Sequence, residues 1–258
     1  AYDARQNGYF KDEIVPLRIA TKAKGKLVVD QVPQQARSRV PVHAGGNGNS
    51  VWDHAAPAEM VADPHLFSPY VSGDVPFTLV EHDESVRADA SLEAMAKLKA
   101  IDKDGSVTAG NAPGVNDGAA ALVLATEAYA QKNGQEILGE IVDHATAAWD
   151  PPYLALTPAM AAQKLLDKHG LRPSDIHLWE INEAFAAVTL TSLARLNADA
   201  RGVNAQGGAV AMGHPIGASG ARITATLIHQ LRRRGGGLGI AAICSGGGQG
   251  DALLVRVG

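Results

Sequence analysis

The chain has 258 residues, of which 46% are hydrophobic and 19% are charged, and its formal net charge is −4. This composition can bury the core of one large domain or of two modest ones. The small negative charge gives no general attraction to nucleic acid or anionic lipid, so we expect no nucleic-acid partner. An anionic ligand would need only a local basic patch.

Cys244 is the only cysteine. A single thiol excludes an internal disulfide framework and agrees with a reducing compartment, so we expect a cytoplasmic location, with the mitochondrial matrix and the peroxisome as alternatives. We find neither an apolar run of membrane-spanning length nor a basic-then-apolar leader. Because the sequence begins with Ala1 and not with Met, we expect a fragment or a processed product.

The first part of the chain, through about residue 113, has little regular pattern. Residues 31–77 are rich in Pro, Gly, Asn and His, which predicts a long surface excursion. Its candidate metal ligands are His43, Asp53, His54, Asp63 and His65. Their spacing fits no compact ligand motif, so we expect no metal. Residues 91–98 have a helical pattern for which Ser91 is a suitable N-cap.

From about Asn116 onward, apolar β-rich runs alternate with helix-period segments, an order typical of an α/β layered domain. The predicted strands are residues 118–125, 137–146, 176–181, 203–205, 238–243 and 252–257. The predicted helices are residues 158–169, 183–196 and 218–233. Gly170 should close the first of these helices. The three arginines at 232–234 favour a helix C-terminus, with nucleotide binding as the alternative.

Three polar residues lie where predicted strands end or helices begin. Asn182 either caps a helix or donates its amide toward a developing oxyanion. His214, between Gly213 and Pro215 at a helix entrance, either faces a ligand or is a loop histidine with local hydrogen bonds. Cys244 is either a small buried hydrophobe or a functional thiol beside a glycine segment. If these loops converge on one sheet edge, they form a site where α/β enzymes commonly place one.

Four motifs surround these residues: Asn-Glu-Ala-Phe-Ala at 182–186, Asn-Ala-Gln-Gly-Gly-Ala at 204–209, Gly-His-Pro-Ile-Gly-Ala-Ser-Gly at 213–220 and Cys-Ser-Gly-Gly-Gly at 244–248. In this order and spacing they resemble the thiolase family of coenzyme-A-dependent acyltransferases. Upstream, residues 83–87, 91–98 and 108–120 are also similar to thiolases. The resemblance covers almost the whole chain except the excursion at 31–77.

The resemblance implies a layered α/β fold with a mixed sheet, the C-terminal half of an αβαβα arrangement, over residues 114–258. Residues 1–113 would belong to an irregular α+β loop domain that covers coenzyme A and carries a long insertion at about 31–77. In longer relatives an insertion here mediates docking to a β-oxidation multienzyme complex or contact with a membrane, so both remain hypotheses. The family also implies a homo-oligomer.

The resemblance further implies a role for each matching residue. His214 would deprotonate a nucleophilic cysteine and, with a water held by Asn182, form one oxyanion hole. Cys244 would exchange a proton with the substrate α-carbon, and the Gly246 N–H would contribute to a second oxyanion hole. The implied coenzyme A contacts come from Arg87, Ala112, Pro113, Leu154 and Phe185. These roles suit a carbanion beside a thioester, which needs a proton partner and fixed donors.

The implied activity is thiolytic cleavage of 3-ketoacyl-CoA to acetyl-CoA and a shortened acyl-CoA, or the reverse Claisen condensation. Coenzyme A and acyl-CoA are substrates, and no other cofactor is expected. The family's acyl-carrying cysteine has no counterpart here, so we expect it on a separate N-terminal thiolase segment or chain. Pro113 replaces a serine that many relatives place near pantetheine, which removes one hydroxyl contact.

Two other functions are compatible with the same residues. His214 could activate Cys244 itself, which would make a self-contained Cys-His acyltransferase or thioesterase. Alternatively, the chain is a non-catalytic coenzyme-A- or lipid-binding subunit that keeps the fold. Acylation of Cys244 by acyl-CoA distinguishes the first alternative, and ligand binding without turnover distinguishes the second.

Overall fold

The computed structural model describes residues 1–13, 17–20, 77–80 and 83–258. The chain divides into two compact units, Ala1–Ile14 with Asp83–Gly258, and Val15–His82. In the second unit, β1 (Leu17–Ala20) pairs antiparallel with β2 (Phe77–Val80). The insertion expected at about 31–77, with its candidate metal ligands, lies outside the described residues except for Phe77. The domain boundary at residue 113 stays a prediction.

The first unit is built around a mixed four-stranded sheet. Its strands are β3 (Glu140–Ala148), β4 (Leu178–Ile181), β5 (Gly237–Ser245) and β6 (Gln249–Val257). Their order is β3-β6-β5-β4, in which β4 runs parallel to β5 while the other neighbours are antiparallel. The mixed sheet confirms the α/β class expected from the alternating pattern.

The first unit also contains helices of very different lengths. They are α1 (Tyr2–Gln6), α2 (Leu92–Met95), α3 (Glu127–Lys132), α4 (Thr157–His169), α5 (Ala186–Leu196), α6 (Ala209–Met212) and α7 (Ile216–Arg233). Short 3-10 segments occupy Pro151–Leu156, Pro173–Asp175 and Ala200–Gly202. None of the helices in the described residues is long and apolar enough to cross a membrane.

Each face of the sheet packs against one long helix, so the unit has three layers. On one face, Leu165 and Leu166 of α4 join a cluster with Trp179 and Ile181. On the other face, α7 contributes Ile223, Leu227 and Leu231, which recur every four residues and meet Leu178, Ala241, Val255 and Val257. Because successive strand residues point to opposite faces, β4 serves both clusters.

Several predicted elements agree with the structure and others do not. The helix expected at 158–169 is α4, and Gly170 ends it in the left-handed region with φ 63°. Ser91 caps α2, accepting from the Ala94 N–H at 3.1 Å, but that helix is a single turn. The short strand expected at 203–205 is a single bridge between Val203 and Trp179.

The strand expected at 118–125 is wrong, because this segment has no secondary structure in the described unit. Its side chains are exposed, with Val123 at 98% and Leu124 at 70% of full accessibility. A run of apolar residues becomes a strand only when another strand supplies its backbone hydrogen bonds. No described strand pairs with this segment. Its apolar composition alone therefore could not determine whether it forms a strand.

Candidate active site

Two of the three predicted site residues lie at the same edge of the sheet. Asn182 directly follows β4, and Cys244 is the second-to-last residue of the neighbouring strand β5. The Asn182 N–H donates to the Ala242 carbonyl at 2.8 Å, which extends the parallel ladder to this point. Since parallel strands present their carboxyl ends together, this is the edge where α/β folds place ligand sites.

His214 reaches this edge from the tight turn that precedes α7. Gly213 has φ 101°, a conformation that favours glycine, and a Cβ there would lie 2.4 Å from the Asn116 side chain. Asn116 Oδ1 accepts from the His214 N–H at 3.3 Å, and Asn116 Nδ2 donates to Ser85 Oγ at 3.4 Å. The close approach of Asn116 therefore requires glycine at position 213 and helps place His214.

The His214 ring contacts two polar side chains. Its Nε2 lies 3.3 Å from Asn182 Nδ2, and its Nδ1 lies 2.7 Å from Ser219 Oγ. Burial, and to a lesser extent the Arg222 cation, lower the pKa of His214 below its ordinary value. The imidazole is therefore neutral near neutral pH and able to accept a proton.

Asn182 does not cap the helix that follows it. The N-cap of α5 is Phe185, and Asn182 is 1% exposed with its amide against His214. Its Oδ1 is buried and has no hydrogen-bond partner among the described residues. The helix-cap alternative is therefore wrong, and the amide NH₂ group of Asn182 faces the His214 ring.

Cys244 is 8% exposed, and burial raises the pKa of its thiol above the ordinary value. The thiol is therefore protonated near neutral pH, which suits proton transfer better than nucleophilic attack. After it, Gly246 has open space around the position of a missing Cβ, while Gly247 and Gly248 have φ 82° and 77°. The Gly248 carbonyl accepts from the Trp149 N–H at 2.8 Å, which anchors the loop.

A second set of hydrogen bonds holds the loop after β4. Asn204 Oδ1 accepts from the Ile181 N–H at 2.8 Å, and Asn204 Nδ2 donates to the Ile181 carbonyl at 2.8 Å and to Glu183 Oε1 at 2.9 Å. Glu183 Oε2 accepts from the Val210 N–H at 2.9 Å. A Cβ on Gly208 would lie 2.3 Å from this carboxylate. These hydrogen bonds thus hold the motifs at 182–186 and 204–209 next to each other.

A buried carboxylate lies in the strand that carries Asn182. Glu180 is 1% exposed, and its oxygens accept from Gln230 Nε2 at 2.7 Å and from Arg222 Nη1 at 3.5 Å. Burial raises the pKa of Glu180 to about 7, against the opposing effects of Arg222 and Gln230. This carboxyl is therefore partly protonated at neutral pH.

The residues proposed for coenzyme A fall into separate places. Phe185 is 40% exposed at the start of α5, and the neighbouring Ala186 N–H donates to the Asn111 carbonyl at 2.8 Å. This hydrogen bond joins the residue after Phe185 to the residue before the half-buried Ala112 and Pro113. Leu154 is half-buried in the segment Pro151–Leu156, and the exposed Arg87 pairs with Asp89 at 2.9 Å.

The sequence motifs contained four supporting residues whose roles could not be assigned from sequence. Asn116, Glu183, Asn204 and Ser219 lie within the quoted motifs, but only the folded chain pairs each with its partner. Within the described ranges, no group of three or more His, Cys, Asp or Glu side chains could hold a metal ion.

The fold and these loops match one family of proteins. The family domain described as "Thiolase, C-terminal domain" matches residues 135–257, and "Thiolase, N-terminal domain" matches residues 70–128. Together these matches cover most of the sequence. The chain belongs to the thiolase family.

Relatives and solved structures agree with this assignment. The chain is 50% identical over 178 residues to an acetyl-CoA acetyltransferase of Rhizobium meliloti, covering 69% of this chain and 45% of the relative. It is 39% identical over 259 residues to a probable acetyl-CoA acetyltransferase of Mycobacterium tuberculosis, covering 100% of this chain and 64% of the relative.

Two crystal structures are similar over the full chain. The Bacillus anthracis acetyl-CoA acetyltransferase has a TM-score of 0.77 at 37% identity, and human mitochondrial 3-ketoacyl-CoA thiolase has 0.72 at 31% identity. Each match covers 100% of this chain and 52% of the solved chain. The chain therefore spans about half the length of the solved relatives it matches.

Proposed function

We propose that His214, Asn182, Cys244 and Gly246 form the proton-transfer and oxyanion part of a thiolase active site. The protein would cleave 3-ketoacyl-CoA with coenzyme A to acetyl-CoA and a shortened acyl-CoA, or run the reverse condensation. One observation carries this proposal: the neutral His214 ring meets the buried Asn182 amide at the sheet edge where Cys244 lies one residue before the end of β5. This arrangement offers a base, a donor and a proton carrier at one place.

The proposed first half-reaction begins at a cysteine other than Cys244. That thiol passes its proton to His214 Nε2, and its sulfur attacks the 3-keto carbon. The bond between carbons 2 and 3 then breaks, which leaves the acyl group on sulfur and an acetyl-CoA carbanion. Cys244 protonates the carbanion and becomes a thiolate. Fixed donors such as the Gly246 N–H stabilise the negative charge on oxygen during these steps.

In the second half-reaction, the Cys244 thiolate takes the proton of an incoming coenzyme A thiol. The coenzyme A sulfur attacks the acyl-cysteine carbonyl, and the cysteine leaves as a thiolate that recovers its proton from His214. Both side chains thus return to their starting states. The raised pKa of Cys244 supports this assignment, because a proton donor must hold its proton until the carbanion forms.

The nucleophilic cysteine is proposed to come from an N-terminal thiolase segment, in the same polypeptide or in a separate one. Residues 118–125 support this partner, because they expose a continuous apolar run that includes Leu122, Val123 and Leu124. Apolar exposure of this kind marks an interaction surface. The match to the N-terminal thiolase domain ends at residue 128 and includes this run.

Coenzyme A is proposed to bind beside Phe185, Ala112 and Pro113, with contributions from Leu154 and Arg87. The exposure of Phe185, together with the hydrogen bond from the neighbouring Ala186 to Asn111 beside the half-buried residues 112 and 113, supports a pantetheine contact. Arg87 would have to exchange its pairing with Asp89 for a phosphate, an exchange that costs little because exposed ion pairs are weak. A homo-oligomer and a β-oxidation partner remain family-based expectations.

The test combines this chain with the N-terminal part of the Rhizobium meliloti relative, as the proposed source of the nucleophilic cysteine, and follows thiolysis of acetoacetyl-CoA. We expect turnover, and we expect His214→Gln to lower kcat by roughly 10²- to 10⁴-fold, the usual contribution of a general base. His229→Gln, in the same helix α7, is the matched control and should retain activity. A folded complex that binds acyl-CoA without turning it over would refute the proposal.

A further inference from the structure

The neutral His214 ring is held from both sides by side chains that limit where its proton can reside. Nδ1 lies 2.7 Å from Ser219 Oγ, and Nε2 lies 3.3 Å from Asn182 Nδ2. A neutral imidazole has one N–H donor and one acceptor nitrogen. Which ring nitrogen carries the proton therefore depends on whether the neighbouring side-chain atom donates or accepts a hydrogen bond.

Ser219 offers an acceptor to Nδ1. Its side chain is fully buried in the first turn of α7, and its hydroxyl donates to the Pro215 carbonyl at 3.0 Å. This back-bond to the carbonyl four residues earlier is a common arrangement for serine in helices. Since the only hydroxyl proton is used there, the oxygen presents a lone pair to the His214 ring.

Asn182 offers a donor to Nε2. Its Nδ2 is an amide NH₂ group, which cannot accept a hydrogen bond, so the facing ring nitrogen must provide the lone pair. The side chain is 1% exposed and cannot exchange this contact for bulk water without leaving its place. Both neighbours therefore select the same proton position.

We propose that Ser219 is a positioning residue that fixes His214 as the Nδ1–H tautomer and so leaves Nε2 as the proton-accepting atom. Burial and Arg222 keep the ring neutral, so the tautomer is the state that meets the substrate. The use of Nε2 as a base rests on the proposed thiolase function, whereas the tautomer itself does not. Wrong-tautomer variants of a catalytic histidine lose activity even when the geometry is intact.

The tautomer can be read without any turnover. The 258-residue chain is labelled with ¹⁵N-histidine, long-range ¹H–¹⁵N spectra are recorded above the His214 pKa, and His214→Gln assigns the ring signals. We expect a protonated, pyrrole-type Nδ1 and an unprotonated, pyridine-type Nε2. Ser219→Ala should shift the ring toward Nε2–H, and Ser219→Thr, which keeps the hydroxyl, should restore the wild-type signals.

Thr224→Ala is the matched control. Thr224 is also a buried hydroxyl residue in α7, and its Oγ1 donates to the Gly220 carbonyl at 2.8 Å. The ring of His214 instead contacts Asn182 and Ser219. Both alanine variants lose a buried hydroxyl that bonds back to the carbonyl four residues earlier, while only Ser219→Ala should change the tautomer. In the complemented enzyme, Ser219→Ala should lower kcat on the order of tenfold to a hundredfold with KM unchanged.

An Nε2–H ring in the wild-type chain would overturn the proposal, as would unchanged His214 signals in Ser219→Ala. If Ser219→Ala does not fold, the wild-type and Ser219→Thr spectra still decide the assignment. Absence of acyl transfer together with a clear Nδ1–H ring would instead count against the proposed function and leave the role of Ser219 in place.

Discussion

Replacing Glu180 with glutamine should make the protein more stable at alkaline pH. The carboxyl is 1% exposed, and burial raises its pKa from 4.5 to about 7. Because the folded-state pKa lies above the unfolded-state value, the native state binds this proton more tightly. The stability that the group contributes is therefore fully present below pH 4.5 and is lost as the pH rises to about 7.

The size of the effect follows from the pKa difference. At about 1.4 kcal/mol for each pKa unit, an increase from 4.5 to about 7 corresponds to a loss of about 3 kcal/mol. Glutamine keeps an acceptor for Gln230 Nε2, and its NH₂ group can serve Gln230 Oε1, which has no partner among the described residues. Glu180→Gln cannot ionise, so it avoids this loss of stability at high pH, although Arg222 no longer has an ion-pair partner at 3.5 Å.

Urea unfolding measured from pH 4.5 to pH 8.5 tests this reasoning. We expect the stability of Glu180→Gln relative to wild type to rise by up to about 3 kcal/mol across this interval. Glu140→Gln is the control, since Glu140 is 59% exposed and pairs with Arg256 on the surface, and its effect should stay within about 1 kcal/mol. If the unfolding free energies of Glu180→Gln and wild type change in parallel with pH, ionisation of the buried Glu180 does not destabilise the fold and the reasoning is refuted.

Two further substitutions test the surroundings of His214. Gly213→Ala should destabilise the protein by about 1–3 kcal/mol and displace His214, because φ is 101° and the added Cβ would lie 2.4 Å from the Asn116 side chain. Urea unfolding and the His214 NMR signals check this, and a variant as stable as the wild type would contradict it. Arg222→Met should raise the pKa of His214, since it removes a cation that lowers this pKa; an NMR titration that shows no rise would contradict the assigned cause.

Much of the α/β unit could be predicted because its elements carry their own signals. In the helix Thr157–His169 the buried residues recur with helical spacing, and the helix ends at a glycine in the left-handed region. Both features can be recognised from the sequence of this segment alone. The strands Gly237–Ser245 and Gln249–Val257 likewise extend the predicted apolar runs at 238–243 and 252–257. Residues 118–125 show the limit, because an apolar run cannot specify whether a partner strand lies beside it.

The candidate site could be predicted in part. The residue types and their positions at strand ends indicated Asn182, His214 and Cys244, but they left the cap alternative for Asn182 open. Only the tertiary structure decided against the cap, since Phe185 is the N-cap of α5 and the Asn182 amide contacts His214. The contact between Ser219 and His214 follows from the turn at Pro215 and the first turn of α7. No residue pattern specifies which of the two side chains donates the hydrogen bond.

In the proposed mechanism, Cys244 carries protons and does not carry the acyl group. Acyl labelling tests it most directly: this chain, alone and with the N-terminal segment of the Rhizobium meliloti relative, is incubated with acetoacetyl-CoA and mapped by mass spectrometry. We predict an acetyl group on the cysteine of the added segment and none on Cys244, whose buried thiol has a raised pKa. Stoichiometric acetylation of Cys244 in the folded chain would contradict the account and favour a self-contained Cys-His acyltransferase.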